Sequence, residues 1–196
     1  MVFIKRTTEE KDNPTEDDVR MRLKTLSPML QQEYLENLLK RMALDSQLKL
    51  MISRELVELY IRRGLFSNAA KTMENAASTF LNPNTKRDIY KQAGILYVRA
   101  TDFMMADDCF RKAVDHALEK EKMLLRKEIE GIYLTEAHNF ETIGKRGKAV
   151  EIYERILRSS PTPDIQKKIN EKLLHLYEKL GRIRDHLNLR DSLMSQ

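Results

Sequence analysis

The sequence predicts an all-α fold built from helical hairpins, and three observations carry that prediction. Only 6 Gly and 5 Pro punctuate 196 residues, and β-branched clusters are few. Apolar residues recur at the three-or-four spacing of an amphipathic helix along most of the chain. Four aromatic residues, Tyr60, Tyr97, Phe140 and Tyr177, recur at intervals of 37, 43 and 37 residues. Three of the four are followed four positions later by glycine: Gly64, Gly144 and Gly181. Glycine at that offset suits a left-handed helix cap.

Residues 1–16 are polar and contain Pro14, so they read as a flexible N-terminal lead; residues 17–196 read as one helical domain. Thr15 is placed to cap a first turn rich in Glu16, Asp17 and Asp18. Val19, Leu23 and Leu26 give that helix a short apolar face, and Ser27-Pro28 ends it, with Pro28 suited to the first position of the next. From 28 to 43, Met29, Leu30, Tyr34, Leu35, Leu38, Leu39 and Met42 form an apolar face too wide for a solitary exposed helix. Asp45 or Ser46 is positioned to cap the following one.

Repeating units are read at about 48–80, 87–118, 128–160 and 164–194. In the first, Leu56, Val57 and Tyr60 face inward, then Ala69, Ala70, Met73, Ala76 and Ala77 from a second helix starting at Ser67 or Asn68. Pro83 breaks the pattern. The second unit pairs Tyr90, Ala93, Gly94 and Tyr97 with Ala106, Cys109, Phe110, Ala113 and Val114. Gly inside a helix costs about 1 kcal/mol relative to Ala, so Gly94 is assigned a packing role. Nothing obvious breaks the chain from His116 to Glu130; a turn is suspected near 119–122. The third unit uses Tyr133, Ala137 and Phe140, then Ala149, Tyr153, Ile156 and Leu157, and ends at 159–163, which holds two prolines. In the last, Leu173, Leu174 and Tyr177 pair with Leu187, Leu189 and Leu193, while His186 and Arg190 mark a solvent-facing end.

Other classes are disfavoured by what is missing. No apolar run approaches the 18 or so residues of a membrane helix, and the first residues lack a signal-peptide core. A lone cysteine, Cys109, excludes an internal disulfide, suits a reducing cytoplasm and reads as an inert core thiol. The glycine-loop, HExxH, GxSxG and CxxC signatures are absent, so no enzyme and no cofactor is expected. The adjacent Asp107 and Asp108 point apart on a helix and read as solvated. Ten methionines read chiefly as core filling. The net charge is +5; residues 1–18 carry three basic and six acidic groups, leaving a surplus of eight cations beyond them.

The succession of aromatic, small-plus-apolar, aromatic, turn, Ala, large apolar and Ala in residues 90–114 resembles a tetratricopeptide (TPR) repeat, whose standard unit is about 34 residues. The resemblance covers about residues 48–194; the first aromatic place holds Tyr90 and Tyr133 in two units and Ser53 in another. It implies a right-handed superhelix with a helical N-terminal cap, acting as a protein-binding scaffold or adaptor. It further implies a concave groove lined by the first helices. In this sequence that groove comprises Arg54, Glu58, Ile61 and Arg62, then Lys91, Ile95, Val98 and Arg99, then Leu134, His138 and Glu141, and finally Glu171, His175 and Glu178. The groove is basic early and acidic late, suiting a peptide or partner helix. The family's carboxylate clamp lacks its Asn here. His138 and His175 with Glu141 and Glu178 fall short of a metal set. Self-assembly through the apolar 28–43 segment or the terminal helix is an alternative. Nucleic-acid binding through Arg62, Arg63, Arg99, Lys145, Arg146 and Lys148 is another, disfavoured by interleaved acids and the absence of aromatic platforms.

Overall fold

The structure, a computed structural model, describes residues 14–40, 44–159 and 161–195; most of the N-terminal lead, together with Met42 and Ala43, lies outside the described residues. The described residues are all-α. Ten helices follow one another: α1 (Glu16–Thr25), α2 (Pro28–Leu39), α3 (Ser46–Arg62), α4 (Phe66–Ala77), α5 (Pro83–Arg99), α6 (Phe103–Asp115), α7 (Glu119–Thr142), α8 (Arg146–Arg158), α9 (Pro163–Lys179) and α10 (Ile183–Met194).

Local chemistry explains most of the starts. Thr15 and Asp18 form a reciprocal capping box at α1: the Asp18 amide donates to Thr15 Oγ1 (3.2 Å) and the Thr15 amide to Asp18 Oδ2 (3.0 Å). Asp45 accepts the amides of Gln47 and Leu48, and Asn82 those of Asn84 and Thr85. Pro28, Pro83 and Pro163 each occupy the first turn of a helix. Pro83 therefore opens α5 as well as ending what precedes it, because its missing N–H is one the first turn would leave unbonded anyway.

The four first-helix ends repeat one geometry. Tyr60, Tyr97, Phe140 and Tyr177 are 5–6% exposed. The amide five residues after each donates to its carbonyl: Leu65 to Tyr60 (2.8 Å), Asp102 to Tyr97 (3.0 Å), Lys145 to Phe140 (2.8 Å), Arg182 to Tyr177 (2.9 Å). The residue before that amide is left-handed in every case: Gly64 at φ 71°, Gly144 at 77°, Gly181 at 67°, and Thr101 at 61°. This is the Schellman closure, met four times. Thr101 fills the place glycine holds elsewhere. A left-handed L-residue costs about 1–2 kcal/mol, so Thr101→Gly is expected to raise stability by about 1 kcal/mol in urea unfolding; a loss of stability would show that the Thr101 side chain contributes more than its backbone strain removes.

Helices adjacent in sequence pack on one another throughout α2–α10, and α7 also touches α5. Tyr90 of α5 stacks on His116 at 5.8 Å, and Gly94 lies under the ring of Phe110, so α5 and α6 run antiparallel. Small residues Ala69, Ala93, Ala106, Ala137 and Ala149, each fully buried, keep the helix axes close. One large buried cluster runs from Val19 to Tyr177, and a smaller one gathers Ala113, Val114, Ala117 and Leu125 where α6 meets α7.

Three sequence expectations are corrected. The α6–α7 break falls at 116–118, ahead of the suspected 119–122, and α7 begins at Glu119 rather than near Glu128. The turn has neither Gly nor Pro; it is held by the His116–Tyr90 stack and by burial of Ala117. α7 is consequently 24 residues long where α3, α5 and α9 are each 17. The surplus accounts for the long 43-residue interval between Tyr97 and Phe140. The methionines divide: Met73 is core, Met51 and Met105 are partly buried, but Met29, Met104 and Met123 stand in solvent. Asp107 and Asp108 do point apart, yet both are engaged: Asp107 by Tyr133 and Arg155, Asp108 by Arg111 and Lys112.

Candidate functional site

The candidate face belongs to the first helices α3, α5, α7 and α9, and its side chains sit at fixed offsets from the four aromatic anchors. Arg54, Glu58 and Arg62 on α3 are exposed, with Ile61 partly buried against the core. On α5, Lys91 and Ile95 are half-buried and Arg99 is exposed. On α7, Leu134 and Glu141 are half-buried and His138 is exposed; on α9, Glu171, His175 and Glu178 are all exposed.

Val98 departs from the expectation. It is fully buried in the main cluster and lines no accessible surface. The position after the anchor is covered at Val98 and partly covered at Ile61 and Glu141, and at Glu141 the cover is the seam with the next hairpin. Glu141, at the same offset, accepts Tyr153 Oη (2.5 Å) and Lys172 Nζ (2.9 Å) in that seam. Glu178 has no following hairpin among the described residues and stays exposed. Burial works to raise the Glu141 carboxyl, but the bonds from Tyr153 and Lys172, with nearby positive charge, hold it below the usual range.

Two of the expected groove cations are already committed. Lys91 Nζ bonds Glu128 at 2.9 Å, and Arg99 reaches Glu136 Oε1 through Nε (2.9 Å) and Nη2 (2.8 Å). Both pairs tie α5 to α7. The Glu136 side chain is only 7% exposed and also accepts Asn139 Nδ2 at 3.3 Å. Its register is that of a core residue: Leu56, Ala93 and Leu173 hold the matching places, all buried. The charges left available are Arg54, with no bonded partner among the described residues, the exposed Glu58–Arg62 pair (3.3 Å), and Glu171 and Glu178 on α9. Positive side chains therefore sit at the α3 end of the face and negative ones at the α9 end.

The sequence reading missed a set of rungs behind this face. Tyr60 Oη donates to Glu36 (2.7 Å), Tyr97 Oη to Glu74 (2.9 Å), and Tyr177 Oη to Glu154 (2.9 Å). Each rung joins an anchor to the helix immediately before its own, 23 or 24 residues earlier. Phe140 has no hydroxyl, and there Tyr133 takes over, donating to Asp107 at 2.5 Å. Burial, reinforced by Glu36, pushes the Tyr60 phenol up to about 12; Tyr97 and Tyr177 are raised for the same reasons. The Tyr60 bond and one from Gln32 hold Glu36 below the ordinary carboxylate range. A tyrosine with an acid 23–24 residues upstream was the available signal, but an acid in so charged a chain stands out only once α2, α4 and α8 are placed.

Other chemistry is bounded by the same geometry. Cys109 is fully buried, and burial pushes its thiol up to about 12, which suppresses the reactive thiolate. Among the described residues, no three His, Cys, Asp or Glu side chains gather as a metal-holding group, and no helix is long and apolar enough to cross a membrane. No protein-family model matches the chain, and no curated protein matches it either.

Proposed function

We propose that this chain is a non-catalytic interaction module: TPR-like helical hairpins stacked as a right-handed superhelix, whose concave first-helix face holds an extended peptide or partner helix. The observation that carries this reading is the fourfold closure after Tyr60, Tyr97, Phe140 and Tyr177, with one left-handed residue at the same offset each time. A repeated closure gives successive first helices a common register, so equivalent side chains form rows across neighbouring units. Rows of that kind suit a long partner with few deep contacts. The available charges, Arg54 at one end and Glu171 and Glu178 at the other, suit a partner segment with an acidic and a basic end.

The test reverses charge at both ends without touching the framework. Arg54→Glu with Glu171→Arg alters two exposed residues that bond no described residue, so helicity and melting should stay as in wild type. Arg99 is unsuitable because its loss would strand Glu136. Pull-down with quantitative mass spectrometry should show at least tenfold lower recovery of the partners specific to wild type. Undiminished recovery with the double variant would remove the first-helix face from consideration.

A further inference from the structure

A second surface lies away from the candidate row, where the start of α7 meets the second helices α6 and α8. Between α6, the first half of α7 and the end of α8 lies a cleft of about 660 Å³, within the range of ordinary ligand pockets. Met123, Ile129, Ile156 and Pro161 give it apolar walls. Arg126, Lys127 and Arg158 stand at its edge, all exposed. None of the three makes a hydrogen bond or ion pair with a described residue, although Arg126 lies near enough to Glu119 to help lower its carboxyl. Cations elsewhere between helices behave differently: Arg87, Lys91, Arg99, Lys112 and Lys172 each bond a carboxylate on another helix. Arg155, the fourth cation of the cleft, is spent on Asp107 and the Phe103 carbonyl.

Glu130 lines the cleft as well, and its Oε1 is buried with no hydrogen-bond partner among the described residues. A buried acceptor left unbonded is unfavourable, and a turn of the Glu130 side chain toward an incoming N–H would satisfy it. The seven residues by which α7 exceeds its counterparts include Met123, so the insertion itself supplies part of the wall.

We infer that this cleft is a docking site for an acidic peptide segment carrying at least one large apolar side chain. Three requirements select that occupant together. The unpaired Arg126, Lys127 and Arg158 call for carboxylates, the walls call for hydrocarbon, and Glu130 Oε1 calls for a donor. A peptide supplies the donor from its own backbone. A fatty acid or an inorganic anion has no N–H to offer Glu130. The site is separate from the first-helix face and does not depend on the function proposed for it.

A random peptide library displayed on phage tests the inference, selected on the full chain. Expected is enrichment of sequences combining Asp or Glu with Leu, Ile, Phe or Met. In fluorescence anisotropy, synthetic copies should bind at least tenfold more weakly to Arg126→Glu with Arg158→Glu. They should bind unchanged to Arg54→Glu with Glu171→Arg, which assigns the loss to the cleft. Arg126 and Arg158 are exposed and bond no described residue, and unaltered melting of the double variant would certify its fold. The inference is overturned if nothing enriches, if the enriched peptides are basic, if none loses affinity on the cleft double variant, or if oleate or inorganic phosphate displaces them equally well.

Discussion

Gly94→Ala should destabilise the protein by about 1–3 kcal/mol in urea unfolding, the range for overpacking a filled core. Helix propensity alone argues the other way, since Ala is favoured over Gly in a helix interior by about 1 kcal/mol. The structure decides between them. A Cβ on residue 94 would lie 2.6 Å from Phe110 Cε1 and 2.7 Å from Cδ1. Phe110 cannot swing aside freely: it is 3% exposed and meets Tyr133 edge-on at 5.5 Å. The sequence assigned Gly94 a packing role, and the structure shows what it makes room for: the Phe110 ring. Phe110→Leu should therefore relieve most of the penalty of Gly94→Ala when the two are combined, a coupling that a double-mutant cycle reads directly. Gly94→Ala melting at or above the wild-type temperature would refute the close contact.

Arg99→Ala should cost about 2 kcal/mol, on the order of 4–8 °C in Tm for a domain of this size. An exposed ion pair would be worth roughly 0–1 kcal/mol, and removing one partner of a fully buried pair about 3–5 kcal/mol. Arg99 is 41% exposed and Glu136 only 7% exposed, so the expected effect lies between the two. What is lost is chiefly the neutralisation of a carboxylate held in a core register. Glu136→Leu in the Arg99→Ala background should then restore stability, because Leu56 and Leu173 already occupy the equivalent places in other units. If Arg99→Ala melts like wild type, Glu136 is better solvated than its burial indicates.

Much of the architecture was legible because it is written in local spacing. Aromatic anchors and the glycines four residues on are properties of single helix ends, and those ends closed as expected. Thr101 shows the limit: its left-handed backbone is imposed by the same closure, but no residue type announced it. The 116–118 turn was hidden for a related reason. His116, Ala117 and Leu118 carry no turn chemistry, and what bends the chain there is contact with α5 and the small cluster around Ala117. On the candidate face, the rows were legible but their occupancy was not. Lys91 and Arg99 looked like free cations because Glu128 and Glu136, 37 residues away, become neighbours only after α7 is laid beside α5. Val98 looked like a lining residue because the seam between hairpins is a tertiary feature. Each of these misses lies where two helices distant in sequence meet.

The neighbour-to-neighbour packing described above also sets how the molecule comes apart. Among the described residues the main helix contacts and ion pairs join neighbours or next neighbours, and α10 has no buried residue of its own. Opening can therefore begin at the α9–α10 edge without disturbing α5 and α6, where Ala93, Val98, Ala106, Cys109 and Ala113 are sealed from solvent. Amide protons should be released as a gradient, earliest along the last helix and latest around Gly94, with no single cooperative step for the whole chain.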